Sequence, residues 1–201
     1  MQRASAAFVA AALIGGVQWA RAAPATVPGT PQAAPAHIEL GRPTLPPFSY
    51  AMFCLRYEAD CRPRRSFRGG PIRLTEKRWA DLRQVNQTVN VAIVPERNEL
   101  GLAGEAWIIN PPRGDCNDYA VSKRHELLQR GWPARVLLLG EVVVGSGEHH
   151  LVLLVRTRSG DVVLDNLTSQ IKPWWRTTYR WVRVQSPGSN KLWAAVGREG
   201  E

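Results

Sequence analysis

The sequence predicts an α+β domain, with helices first and an antiparallel sheet after them. Three observations carry that reading. Two segments, around residues 75–90 and 115–131, place apolar residues at helical spacing between recognisable caps. From Ala134 onward the pattern changes to β-branched and leucine-rich runs. Strands and helices do not alternate along the chain, and there is no internal repeat, so βαβ crossovers are not expected.

The first helix is RLTEKRWADLRQVNQTVN. Thr75 stands where a side-chain oxygen can cap the open N–H groups, Trp79, Leu82, Val85 and Val89 recur on one face, and Leu74 is placed to staple onto Trp79. The expected span is 76–90. The second is GDCNDYAVSKRHELLQRGW, with Asp115 at the N-cap, Asp118 three residues on, and Gly131 as the stop after Leu127 and Leu128. Cys116 then falls in the first turn. The later runs ARVLLLGEVVV, HHLVLLVRT, DVVLDNL and TYRWVRVQ read as the strands, punctuated by Gly-Ser, Ser-Gly and Pro-Trp.

The start of the chain reads differently. Residues 1–22 combine a basic Arg3, an apolar run from Ala4 to Val17 and small residues at Ala20 and Ala22, the make-up of a cleavable signal peptide. No later run reaches the ~20 apolar residues of a transmembrane helix. Residues 23–47 are Pro/Ala-rich with no hydrophobic period and read as a disordered leader, so the folded domain is expected over 48–201. Export to the periplasm follows from this reading.

The 201 residues are 44% hydrophobic and 21% charged, enough for one domain with a real core. The formal charge is +9, of which Arg3 and Arg21 would leave with the signal peptide. The remaining charge is spread along the chain, and no nucleic-acid partner is expected. Three cysteines in an oxidising compartment suggest one bridge and one thiol kept for another purpose. Cys54 and Cys61 are close enough for a local disulfide, which leaves Cys116 as the odd one.

A cysteine in the first turn of a helix feels the positive end of the backbone dipole, which favours thiolate. Its base is expected to be His150, at the head of the strand HLVLLV, with His149 facing away. Asp165, on the next strand, is the expected orienter. His150 and Asp165 are fifteen positions apart, so a hairpin with an even-numbered loop puts both on one face. A four-residue loop at 158–161 suits best, which leaves the two side chains close enough to bridge. Zinc is not expected, because His125, His149 and His150 lack ligand spacing with a second cysteine. Among the tryptophans, Trp107, Trp174, Trp175, Trp181 and Trp193 are read as core and rim packing, although Trp107 could wall the cleft beside Cys116.

The stretches FCLRYEADC, RWADLRQVNQTVN, GDCNDYAVSKRHELLQRGWP, HLVLLVRTRSGDVVLDNL and YRWVRVQSP resemble the bacterial transglutaminase-like cysteine proteinases, the LapG-type periplasmic proteases, over residues 48–193. The resemblance implies a papain-like, transglutaminase-like core. It implies that Cys116 attacks an amide carbonyl, His150 moves the proton and Asp165 holds the imidazole, through a thioester acyl-enzyme. It also implies a calcium ion near the nucleophile, for which Asp115, Asn117 and Asp118 are the candidates. Asn117 stands where an acidic residue is common and weakens such a site, and helix capping is the plainer role for Asp115. The substrate implied is a protein, specifically a large surface adhesin whose release alters biofilm attachment, under an inner-membrane regulatory receptor. A transamidase using the same three residues, and an idle periplasmic binding module, are the alternatives.

Overall fold

The computed structural model describes residues 36–62, 70–97, 99–100, 104–187 and 191–197. The segment 1–22 and residues 23–35 of the expected leader lie outside the described residues. The remainder of that leader does not behave as one. Leu40–Thr44 forms strand β1, and Ile38 is buried. The domain therefore begins before Phe48. The apolar residues at 38 and 40 have a sheet to join even though Pro43 and Gly41 hide the strand in the sequence.

Two short helices follow, α1 (Phe48–Arg56) and α2 (Glu58–Cys61), then the long α3 (Glu76–Ala92). The Thr75 side chain accepts from the Arg78 N–H at 3.3 Å, the expected cap, and α3 buries Leu82, Val85 and Val89. A small parallel pair, β2 (Val94–Pro95) and β3 (Arg113–Gly114), leads into α4 (Cys116–Gln129). Gly131 ends α4 with φ 81°. Its N–H bonds the Leu128 carbonyl and the Trp132 N–H reaches back to Leu127, so a residue without Cβ closes the helix in the left-handed region.

The rest is sheet: β4 (Leu137–Val143), β5 (His149–Thr157), β6 (Gly160–Leu164), β7 (Lys172–Pro173), β8 (Arg180–Gln185) and β9 (Trp193–Val196). Seven strands lie in the order β1-β9-β8-β4-β5-β6-β7, each antiparallel to its neighbours. The α+β arrangement is as expected.

Both faces of the sheet are covered, which explains why its central strands read as continuous apolar runs. Leu137, Leu139, Leu151, Leu153 and Val155 join the helices in one core. Leu138, Val142, Val152, Leu154, Val163 and Val184 form a second core on the far side with Ile38 and Trp181. Trp107 and Trp193 are packed in the first core, as expected, whereas Trp175 is 43% exposed.

Cys54 and Cys61 form a disulfide with Cα atoms 5.4 Å apart, tying α1 to α2. A loop of this length is worth about 2 kcal/mol in the chain-entropy account. Cys54→Ala/Cys61→Ala protein is expected to lose about that much in denaturant unfolding, with little change in the rate of Cys116 chemistry.

Candidate active site

Cys116 is the first residue of α4, and its placement is set by a reciprocal capping box. Asp115 accepts the Asn117 N–H at 2.8 Å, and Asp118 accepts the Asp115 N–H at 3.1 Å. Gly114 is part of the same device: a Cβ there would stand 2.3 Å from Asp118 Oδ2. The Gly-Asp-Cys-Asn-Asp run is thus one folded object, in which the glycine makes room for the carboxylate that caps the helix bearing the cysteine. The thiol itself is largely buried and lies 3.9 Å from Asn117 Oδ1.

Asp118 has a second task. Its Oδ1 accepts the Ile108 N–H at 2.7 Å, and Ser122 Oγ accepts the Asn110 N–H at 2.7 Å, so α4 holds the segment 107–110 against its own first turns. Trp107 in that segment packs on Tyr50 and Phe53, so packing is its role here. Burial, and after it the like charges of Asp115 and Glu105, push the Asp118 carboxyl up to about 6, against the lowering pull of the Ile108 N–H. Asp115 is raised as well, chiefly by burial.

His150 and Asp165 meet. Imidazole Nε2 lies 2.8 Å from Asp165 Oδ1, and both side chains are almost fully buried. The β5–β6 hairpin brings this about with a loop of two residues, Arg158 and Ser159, instead of the expected four, since Thr157 pairs with Gly160. Continuing the Leu153–Leu164 pairing by one residue sets Asp165 level with Val152 and diagonal to His150. The evenness of the loop, and with it the shared face, is as expected. The turn is tight because Thr157 Oγ1 bonds both the Gly160 carbonyl and the Ser159 N–H, and Gly160 takes φ 126° with the Ala36 carbonyl pressed against it.

His149 points to the opposite face, where its Nδ1 lies 2.6 Å from Glu141, itself paired with Arg183. It is not a rival for Asp165. α4 packs on β5, so one helix and one strand carry Cys116 and His150.

Sequence reasoning missed Tyr179. Its hydroxyl donates to Asp165 Oδ2, and its ring stands edge-on to His150 at 6.1 Å. Oδ1 also accepts the Leu167 N–H at 3.1 Å, and Asn90 Nδ2 donates to the Asp165 carbonyl at 3.0 Å. Burial alone would raise the Asp165 carboxyl; the hydrogen bond and charge of His150, with help from Tyr179 and Leu167, outweigh it and hold the group below the usual carboxylate range. Lys123, also overlooked, is buried two turns along α4 from Cys116, with Nζ over the Tyr119 ring at 5.8 Å.

The expected calcium ligands do not converge into a cage. Asn117 is fully buried and its amide donates to Asp115 Oδ2 at 3.1 Å, while both aspartates are engaged in capping. Calcium asks for six to eight oxygens. Among the described residues no group of three or more His, Cys, Asp or Glu is disposed to hold a metal. Residues 115, 117 and 118 therefore do not fit a calcium ion in this arrangement, and the capping role is the one seen.

A family model for the bacterial transglutaminase-like cysteine proteinases matches residues 40–201. The chain belongs to that family. The match starts at β1, in agreement with a domain that begins before Phe48. No curated protein matches the chain. Among solved structures, calcium-bound LapG of Legionella pneumophila aligns at TM-score 0.51 and 23% identity, over 60% of this chain and 71% of its own. LapG of the same organism aligns at TM-score 0.49 and 24% identity, over 60% and 70%. Its EGTA-treated form aligns at 0.48 and 24%, over 60% and 72%. At such identities the first of these speaks for the fold. Family membership makes the protein a transglutaminase-like cysteine peptidase, and a peptidase of this family takes a protein substrate.

Proposed function

We propose that the protein is an exported endopeptidase in which Cys116 is the nucleophile, His150 the base and Asp165 its orienter. The observation that carries this is the buried 2.8 Å contact between His150 Nε2 and Asp165. With Nε2 committed to the carboxylate, Nδ1 is the nitrogen that exchanges a proton with sulfur. The helix start stabilises the thiolate through its dipole and open N–H groups. Nδ1 takes the thiol proton as sulfur attacks the amide carbon. The new C–S bond and the oxyanion collapse to a thioester as the C–N bond breaks, and the imidazolium gives its proton to the departing amine. Water activated by the same imidazole then hydrolyses the thioester. The Cys116 backbone N–H at the helix start is positioned to donate to the oxyanion.

The composition of residues 1–22 supports a periplasmic site of action, and a large surface adhesin is the substrate we infer, under an inner-membrane receptor. The similarity to calcium-bound LapG of Legionella pneumophila supports a calcium response that does not run through the capping aspartates as they stand and does not enter the chemistry above.

The test is hydrolysis of a protein substrate by the purified protein and by Cys116→Ala, with and without a calcium chelator and with an added primary amine. Wild-type cleavage that Cys116→Ala abolishes is the expected result. Exclusive transfer to the amine would make the protein a transamidase, and cleavage that survives Cys116→Ala would remove the proposal. An unchanged rate and melting temperature under chelation would end the calcium reading alone.

A further inference from the structure

We infer that Tyr179 is a positioning residue of the His150–Asp165 pair, clasping the carboxylate from the far side of the imidazole. The inference rests on the reading that this pair serves Cys116, and it extends that reading to a residue outside the triad.

The topology shows why this contact is not incidental. Asp165 follows β6, on one side of β5. Tyr179 precedes β8, which lies beyond β4 on the other side of β5. The register runs from Arg180 to Val143 and from Val142 to His150, so the phenol must reach over two strands to meet the carboxylate. In doing so it lays its ring edge-on to His150 at 6.1 Å. One residue thereby gives a hydrogen bond to Oδ2, so that Oδ1 serves His150 and the Leu167 N–H, and a wall that keeps water off the ring. Splitting the two oxygens fixes the carboxylate plane, and the imidazole plane follows from it.

The hydroxyl is a dependable donor. Burial and the adjacent carboxylate push its ionisation far above the tyrosine range, so it stays protonated wherever the pair is intact. The other charges facing this site are the buried Lys123 from α4, and Lys172 and Arg176, which line with Tyr179 and Asp165 a small cavity of about 50 Å³. Of these, Lys123 is the cation whose charge interacts with Asp165 and favours its ionised form. Removing the Tyr179 hydroxyl therefore weakens the support of the carboxylate without abolishing it.

The experiment compares the full-length protein with Tyr179→Phe and with Thr178→Ala, a control that lines the same cavity. Two readouts are taken across pH 3 to 8: the ¹⁵N-edited signal of the His150 Nε2–H, and the rate of Cys116 alkylation. In Tyr179→Phe the pH at which the Nε2–H signal is lost on acidification is expected to rise by about one unit. Alkylation at neutral pH is expected to slow about tenfold, and Thr178→Ala is expected to match wild type in both. If the signal and its midpoint are unchanged in Tyr179→Phe, the positioning role is overturned. If the midpoint moves while alkylation proves indifferent to His150→Ala, Tyr179 keeps its role and it is the nucleophile reading that falls.

Discussion

His150→Ala is expected to slow alkylation and acylation of Cys116 by about 10³-fold near neutral pH. The imidazole is a base held in a fixed orientation. Its Nε2 is locked by Asp165, its far side is closed by Tyr179, and the pair is almost entirely out of water. Alanine removes the proton acceptor and leaves Asp165 buried with one partner fewer. Some reactivity survives, because the helix start still favours the thiolate. That residue of activity gives the measurement its shape. Wild type should label rapidly down to mildly acidic pH, whereas labelling of His150→Ala should fall away at higher pH than in wild type. Equal rates at all pH values would show that His150 does not act on Cys116.

Lys123→Met is expected to stabilise the protein at pH 6, by on the order of 3 kcal/mol. Lys123 is 1% exposed. Burial lowers its ammonium from 10.5 to about 7, against the attraction of Asp165. Between those two values the unfolded chain binds a proton that the folded chain has shed, so stability rises with pH from about 7 to 10.5. Below about 7 the folded state carries the buried ammonium and the full cost is present. Methionine fills similar space with no charge to desolvate. The gain should therefore be complete at pH 6 and shrink toward pH 10 in denaturant unfolding. Loss of stability at pH 6 would show that the charge is better compensated than its burial suggests. The same variant withdraws a cation that attracts Asp165, so slower alkylation is expected to accompany the gain, the signature of a residue kept for chemistry at a cost to stability.

Several parts of this arrangement were legible before the fold was known. Helices α3 and α4 announce themselves because their caps, Thr75 and Asp115, act on N–H groups two or three residues away. Strands β4, β5, β6 and β8 declare themselves by composition, and parity alone puts His150 and Asp165 on one face. What was hidden depends on distant partners. Helix α1 is nine residues with no side-chain cap, starting after two prolines, and it is held by Tyr50 bonding to Gln185 and packing on Trp193. Strand β1 contains a proline and exposes most of its residues, and β9 is only four residues long; each is a strand because the other is beside it. Tyr179 reaches its carboxylate over two intervening strands, a distance no local pattern encodes.

The pairing of β1 with β9, in which Leu40 meets Val196, bears on how the protein is made. The first strand of the sheet can find its neighbour only after the chain has emerged as far as Val196, and closing so long a loop is entropically costly and slow. Until Trp193–Val196 arrive, β1 has no partner and one side of β8 is bare. A peptidase built this way completes its scaffold last, when the strand that carries Trp193 reaches β1.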